Sequence, residues 1–142
     1  MTPETKEHLD KARQYLTKAR GLLDVLHYND EAGRAAYLAA FHAAQALISE
    51  RTGKIANSHG GVNSQFNLLT RDEPRLDPEL RRFLPQAYNL KAVADYETGP
   101  GSVVPLERVE AAIATATRFV ECVASLISTN GHTPPPPETS KP

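Results

Sequence analysis

Seven alanines crowd into one short run of this chain, and they limit what it can become. From Arg34 to Gly61 the sequence reads RAAYLAAFHAAQALISERTGKIANSHGG, with Ala35, Ala36, Ala39, Ala40, Ala43, Ala44 and Ala46 broken by few polar residues. Alanine is the best helix former, and its methyl group adds little bulk, so other backbones can approach such a helix closely. Tyr37, Phe41, Ala44 and Ile48 fall on one stripe at helical spacing and mark its core face. The helix is expected from about Glu31 to Arg51, closing at Gly53, a residue suited to the left-handed conformation that ends many helices.

The flanking segments repeat the helical period. Thr2 caps a first helix that starts near Pro3-Glu4, and Leu9, Ala12, Leu16, Ala19, Leu23 and Leu26 give it an apolar seam. Asn29-Asp30 supplies a break and the next N-cap, and so short a connection implies antiparallel neighbours. Val62, Phe66 and Leu69 offer a short, partly helical third segment, ended by Arg71-Asp72-Glu73-Pro74. Asp77-Pro78-Glu79 opens a fourth helix through Leu80, Phe83, Ala87, Leu90 and Ala94, which Pro85 should kink or divide. After a loop from Glu97 to Val104, Pro105 and Glu107 begin a last helix with the seam Leu106, Val109, Ile113, Ala116, Val120, Val123 and Ile127. No strand-like alternation competes. The expectation is an all-α, up-and-down bundle of four long helices plus a short fifth over residues 1–128, followed by a disordered proline-rich tail over 129–142.

With 142 residues there is room for one domain and its core. Sixteen Lys and Arg against seventeen Asp and Glu leave no general basic field, so any contact with RNA has to be local. The lone Cys122 makes no internal disulfide and reads as a small buried hydrophobe. With no early apolar run of the kind a secretory signal or membrane span needs, the expected setting is the cytoplasm, away from the membrane. The five histidines and one cysteine never take a metal-ligand spacing, and no phosphate loop or nucleophile elbow occurs, so no metal or cofactor is expected.

Three polar groupings are candidates for chemistry. His59, in Ser58-His59-Gly60-Gly61, reads either as part of a helix-capping turn or as a general acid or base. Arg34 and His42 lie on the second helix about 12 Å apart along its axis, too far to touch. His42, Gln45 and Ser49 form a thin polar stripe there, suited to a groove or an interface or, for His42, to a satisfied and partly buried position. Lys91 and Asp95 stand four apart on the fourth helix, flanked by Tyr88 and Tyr96. They read as a surface ion pair, or as a pocket where Lys91 meets phosphate and the tyrosines stack on a base. Arg71, Arg75, Arg81 and Arg82 are offset by Asp72, Glu73, Asp77 and Glu79, leaving that segment neutral.

Taken in order, KARQYLTKARGLL, AAYLAAFHAAQALISERTGK, SHGGVNSQF, LKAVADY and ATRFVECV resemble the HEPN domain family, in its UPF0332-like branch, over about Lys11 to Leu126. The resemblance implies a helical bundle, often a homodimer, encoded in prokaryotes beside a minimal nucleotidyltransferase as a toxin–antitoxin or substrate-binding pair. Active relatives are metal-independent ribonucleases that set an arginine roughly four to six residues before a histidine across a dimer groove. This chain departs from that pattern. Arg34 to His42 and Arg51 to His59 each have seven residues between them, and Lys91 stands where an arginine often precedes the Asp95-Tyr96 pair, with no histidine after it.

Two functions follow as expectations. In the first, a non-catalytic or weakly catalytic module dimerises through its alanine-rich faces, with Arg34, Tyr37, His42 and Gln45 at a groove or interface, and binds a nucleotidyltransferase, RNA or a nucleotide. In the second, a ribonuclease uses His59, Lys91, Asp95 and Tyr96, which must then converge. The tail is expected to contribute nothing to folding: a chain lacking residues 131–142 should melt at the same temperature as the full chain, and a large drop in a thermal melt would contradict this.

Overall fold

A computed structural model describes residues 1–96 and 104–130. It contains five helices and, among the described residues, no strand: α1 (Pro3–Asp24), α2 (Asn29–Thr52), α3 (His59–Leu69), α4 (Pro78–Tyr96) and α5 (Leu106–Asn130). The expected loop over 97–104 lies outside the described residues except for Val104; of the tail expected over 129–142, Thr129 and Asn130 instead complete α5, and the rest lies outside the described residues.

Local chemistry accounts for most helix ends. The Thr2 hydroxyl accepts from Thr5 N at 3.0 Å and starts α1. Gly53, at φ 70°, closes α2 with its N–H donating to Ser49 O. The turn between α1 and α2 differs from expectation: Tyr28 occupies the N-cap without a side-chain bond, and His27 at φ 58° reverses the chain. Asn29 and Asp30 sit inside α2 and turn elsewhere. Asn29 Nδ2 donates to Val104 O at 3.2 Å, and Val104 N donates to Asp30 Oδ1 at 3.2 Å, tying the approach to α5 onto the first turn of α2. The third segment is helical throughout. Pro85 does not divide α4, although without an N–H it cannot close the bond to Arg81 O.

α2 is the axis of the bundle and touches all four other helices. The expected single stripe is therefore too narrow a description. Ala35, Ala36, Ala39, Ala40, Ala43, Ala44 and Ala46 are all buried over about half of the helix circumference, and Tyr37, Ile48 and Ser49 are buried beyond them, while Phe41 is only half-buried. Because the alanines are spent within the chain, an interface between copies has to use other surfaces. Methyl side chains let helix axes approach at the short end of the usual 8–10 Å range.

The outer helices supply the bulk. Phe119 of α5 lies against Phe66 of α3, ring centroids 5.2 Å apart, and against Phe83 of α4 at 6.2 Å. The α5 seam is buried from Val109 to Ile127 and widened by Phe119 and Leu126, whereas Leu106 at its start is exposed. Leu26 is exposed because α1 has ended before it. By length and composition α5 is apolar enough to cross a membrane; here its apolar face is packed into the core. Enlarging the axis should strain every layer at once. Ala40→Leu is expected to cost about 1–3 kcal/mol, seen as a lower urea midpoint at unchanged slope.

Candidate functional site

The Ser58-His59-Gly60-Gly61 turn is the start of α3. Ser58 is its N-cap, accepting from Gly61 N at 3.0 Å, and a Cβ on Gly61 would stand 2.9 Å from Ser58 Oγ, so glycine is what lets the cap close. His59, the first residue of the helix, is thereby held between α2 and α4. Its Nδ1 lies 2.9 Å from the hydroxyl of Tyr37 on α2, and its ring stacks on Tyr88 of α4 with centroids 4.0 Å apart and planes 21° from parallel. Tyr37 meets Tyr88 edge-on at 5.5 Å. The capping turn is thus also what positions the His59 imidazole.

Beside these rings opens a cleft of about 260 Å³, lined by Leu38, Phe41, Asn57 and Lys91 as well as Tyr37, His59 and Tyr88. Lys91 Nζ stands 6.0 Å from the Tyr88 ring centre, so the His59 ring and the Lys91 ammonium are within about 10 Å of one another. Next to it, Asp95 accepts from Lys91 and also from Nε of Arg34 on α2, the latter at 2.8 Å. Its bond to Lys91, seconded by Arg34, holds the Asp95 carboxyl below its usual range, and Asp95 in turn raises Lys91. Two cations share one carboxylate, leaving one positive charge in excess.

Burial decides the proton arrangement at the rings. Tyr37 is 2% exposed, and desolvation pushes its hydroxyl far above the ordinary tyrosine value, so it stays protonated. That buried O–H needs an acceptor, and among the described residues His59 Nδ1 is the one it has. Tyr37 therefore donates, His59 carries its proton on Nε2, and the face His59 presents to the cleft is a donor. Desolvation also lowers the His59 pKa and favours this neutral form.

The structure sorts the sequence candidates. Arg34, Tyr37, His59, Lys91 and Asp95 come together, joined by Tyr88. Tyr96 does not line the cleft: it is exposed at the end of α4, near enough to help raise Lys91. His42 and Gln45 belong to another side of α2. His42 Nδ1 donates to Gln45 Oε1 at 2.8 Å, Gln45 Nε2 donates to Ala56 O at 2.9 Å, and Tyr15 of α1 stacks on the imidazole at 5.5 Å, so this pair pins the chain leaving α2. Burial lowers the His42 pKa. Leu38 and Asn57 were not foreseen as cleft residues, and nothing in their local sequence marks them. Tyr88 stands three residues before Lys91, a spacing that puts both on one helix face. No group of His, Cys, Asp and Glu able to hold a metal occurs among the described residues.

Residues 5–126 match the model of the HEPN domain. The chain belongs to the HEPN family. It is 30% identical, over 128 residues, to a UPF0332 protein of Gloeobacter violaceus, covering 90% of this chain and 99% of that protein, which places it in the UPF0332-like branch. All the cleft residues fall within the HEPN match, and the helical bundle is the HEPN fold.

Acid should weaken this HEPN bundle through its two lowered imidazoles. The folded state holds His42 and His59 neutral, while the unfolded chain takes up protons near the ordinary value of about 6.5. Their contribution is complete above that pH and is lost as pH falls through the lowered folded-state values. Denaturation midpoints between pH 7 and pH 5 are expected to fall more steeply for the wild type than for a His42→Gln, His59→Gln double variant.

Proposed function

We propose that this HEPN chain is a nucleotide- or RNA-binding module with little or no cleaving activity, belonging to a toxin–antitoxin or nucleotidyltransferase-partner system. The observation that carries it is the hydrogen bond between Tyr37 and His59. A ribonuclease that activates a 2′-hydroxyl without metal needs a base with a free lone pair, and a donor at Nε2 cannot take that proton. The same donor suits a phosphate oxygen. A base can stack on the Tyr88 and His59 rings, and the free N–H groups of Arg34 and Lys91 add charge-assisted bonds to phosphate. The module acts as a homodimer whose contact lies outside the alanine faces, and a minimal nucleotidyltransferase is its protein partner.

One observation favours the ribonuclease reading: His59, Lys91 and Asp95 do converge, within reach of one bound phosphodiester. Two assays on purified protein decide between the readings. Fluorescence anisotropy with a labelled single-stranded RNA should show binding that weakens about tenfold in Tyr88→Ala, as expected for losing one stacking partner, and weakens in Lys91→Ala as well. Incubation with mixed cellular RNA should leave it intact. Cleavage that disappears in His59→Ala and Lys91→Ala would make the protein a ribonuclease, and RNA binding unaffected by either substitution would remove the cleft from its function.

A further inference from the structure

By count, the turn between α3 and α4 and the start of α4 are neutral, but the fold separates the charges. Glu73 accepts from Arg75, while Asp77 and Glu79 both accept from Arg118, a residue of α5. Three of the four nearby carboxylates are thus committed to arginines that face elsewhere. What remains is Arg71, Arg81 and Arg82 against Asp72, and all three arginines line one cavity of about 620 Å³, together with Asn67, Leu68 and Pro85. It lies between the end of α3 and the first half of α4.

The groups in this cavity are prepared for an anion in different ways. Arg81 is fixed, donating to Thr70 O at 2.9 Å and so closing the end of α3. Arg71 and Arg82 form no ion pair with any described residue, so a ligand displaces no carboxylate from them. Asn67 Oδ1 is buried without a hydrogen-bond partner; as an acceptor it does not meet a phosphate oxygen but can accept from a ribose hydroxyl beside one. Leu68 is exposed and Pro85 adds apolar surface at the same place.

The position of the cavity indicates the ligand. Arg81, Pro85 and Tyr88 follow one another at i, i+4 and i+7 on α4, so the arginine cavity and the His59 cleft share one helix face about 10 Å apart. α3 runs beside α4 in the opposite sense, with His59 at Tyr88 and Asn67 near Arg81. We infer that the Arg71, Arg81 and Arg82 cavity is a phosphate subsite that holds the backbone of a single RNA strand on its way to the His59 cleft. Guanidinium forks match phosphodiester oxygens, and Leu68 and Pro85 give a sugar or base somewhere to rest. The inference builds on the RNA-binding reading of the cleft and extends it to a strand longer than one nucleotide.

The test is anisotropy with two probes: labelled AMP, which fills the cleft alone, and a labelled RNA of roughly ten nucleotides, within the span of single-strand grooves. The variants are Arg71→Gln with Arg82→Gln, both surface changes that leave Arg81 in place, and Tyr88→Ala, each checked by thermal melt. The double variant is expected to bind AMP as the wild type does. For the long RNA it should lose about tenfold in affinity, and its slope of log affinity against log salt should fall by about 1.4, roughly 0.7 for each phosphate contact. An unchanged RNA affinity and slope in the double variant, with Tyr88→Ala still impaired, would overturn the subsite and leave the cleft standing. Failure of the wild type to bind either probe would overturn both. Competition by polyglutamate as effective as by unlabelled RNA would overturn the subsite in favour of an acidic protein surface.

Discussion

The close approach of four helices to α2 is the constraint on which the rest of the structure depends. It is possible because α2 presents methyl groups over about half of its circumference, with Ala36, Ala39, Ala40, Ala43, Ala44 and Ala46 fully buried. Bulk comes instead from the outer helices, where Phe66, Phe83 and Phe119 gather. An axis enclosed in this way has few places where a polar side chain can emerge. In its middle, two pairs do so, each three residues apart: Arg34 with Tyr37 toward α4, and His42 with Gln45 toward α1 and the chain that follows α2. The first pair serves the cleft. The second holds the chain that leaves α2.

The electrostatics of the cleft follow from depth. Tyr37 is deep enough that its hydroxyl has to donate, and through that bond it sets which nitrogen of His59 bears hydrogen. Arg34, Lys91 and Asp95 are shallower, with side chains 23–37% exposed, so their attraction is screened and adds little to stability. Their value is in placing a surplus positive charge beside two aromatic rings. An apolar stacking surface, a neutral donor and a cationic rim are the components a nucleotide needs, and α2, α3 and α4 each supply part of them.

The sequence made the helical bundle legible because its signals were redundant: the seam of α5 keeps its period from Val109 to Ile127, and Thr2, Gly53 and Ser58 mark helix ends through chemistry that acts within a few residues. Tyr28 was missed as a cap because His27 takes a left-handed conformation that nothing local demands. The breadth of burial on α2 was hidden too, since one helix read alone shows its period but not the number of its neighbours. Of the site, Lys91 and Asp95 could be paired by spacing, yet Arg34 joins them only through the packing of α2 on α4. Likewise His42 and His59 look alike in sequence. Only tertiary contacts distinguish the one held by Gln45 and Tyr15 from the one that faces the cleft.

Asn29, Asp30 and Arg34 all lie within the first two turns of α2. Two of them hold Val104 and the third holds Asp95, so the chain is anchored to the same helix on either side of residues 97–103. The placement of α4 and α5 is held by this shared grip on the start of α2. The three anchoring side chains lie outside that stretch, so a substitution within it removes none of them. One short stretch of α2 thus sets the register of both later helices, and a change there would be felt at the cleft and at the start of α5 together.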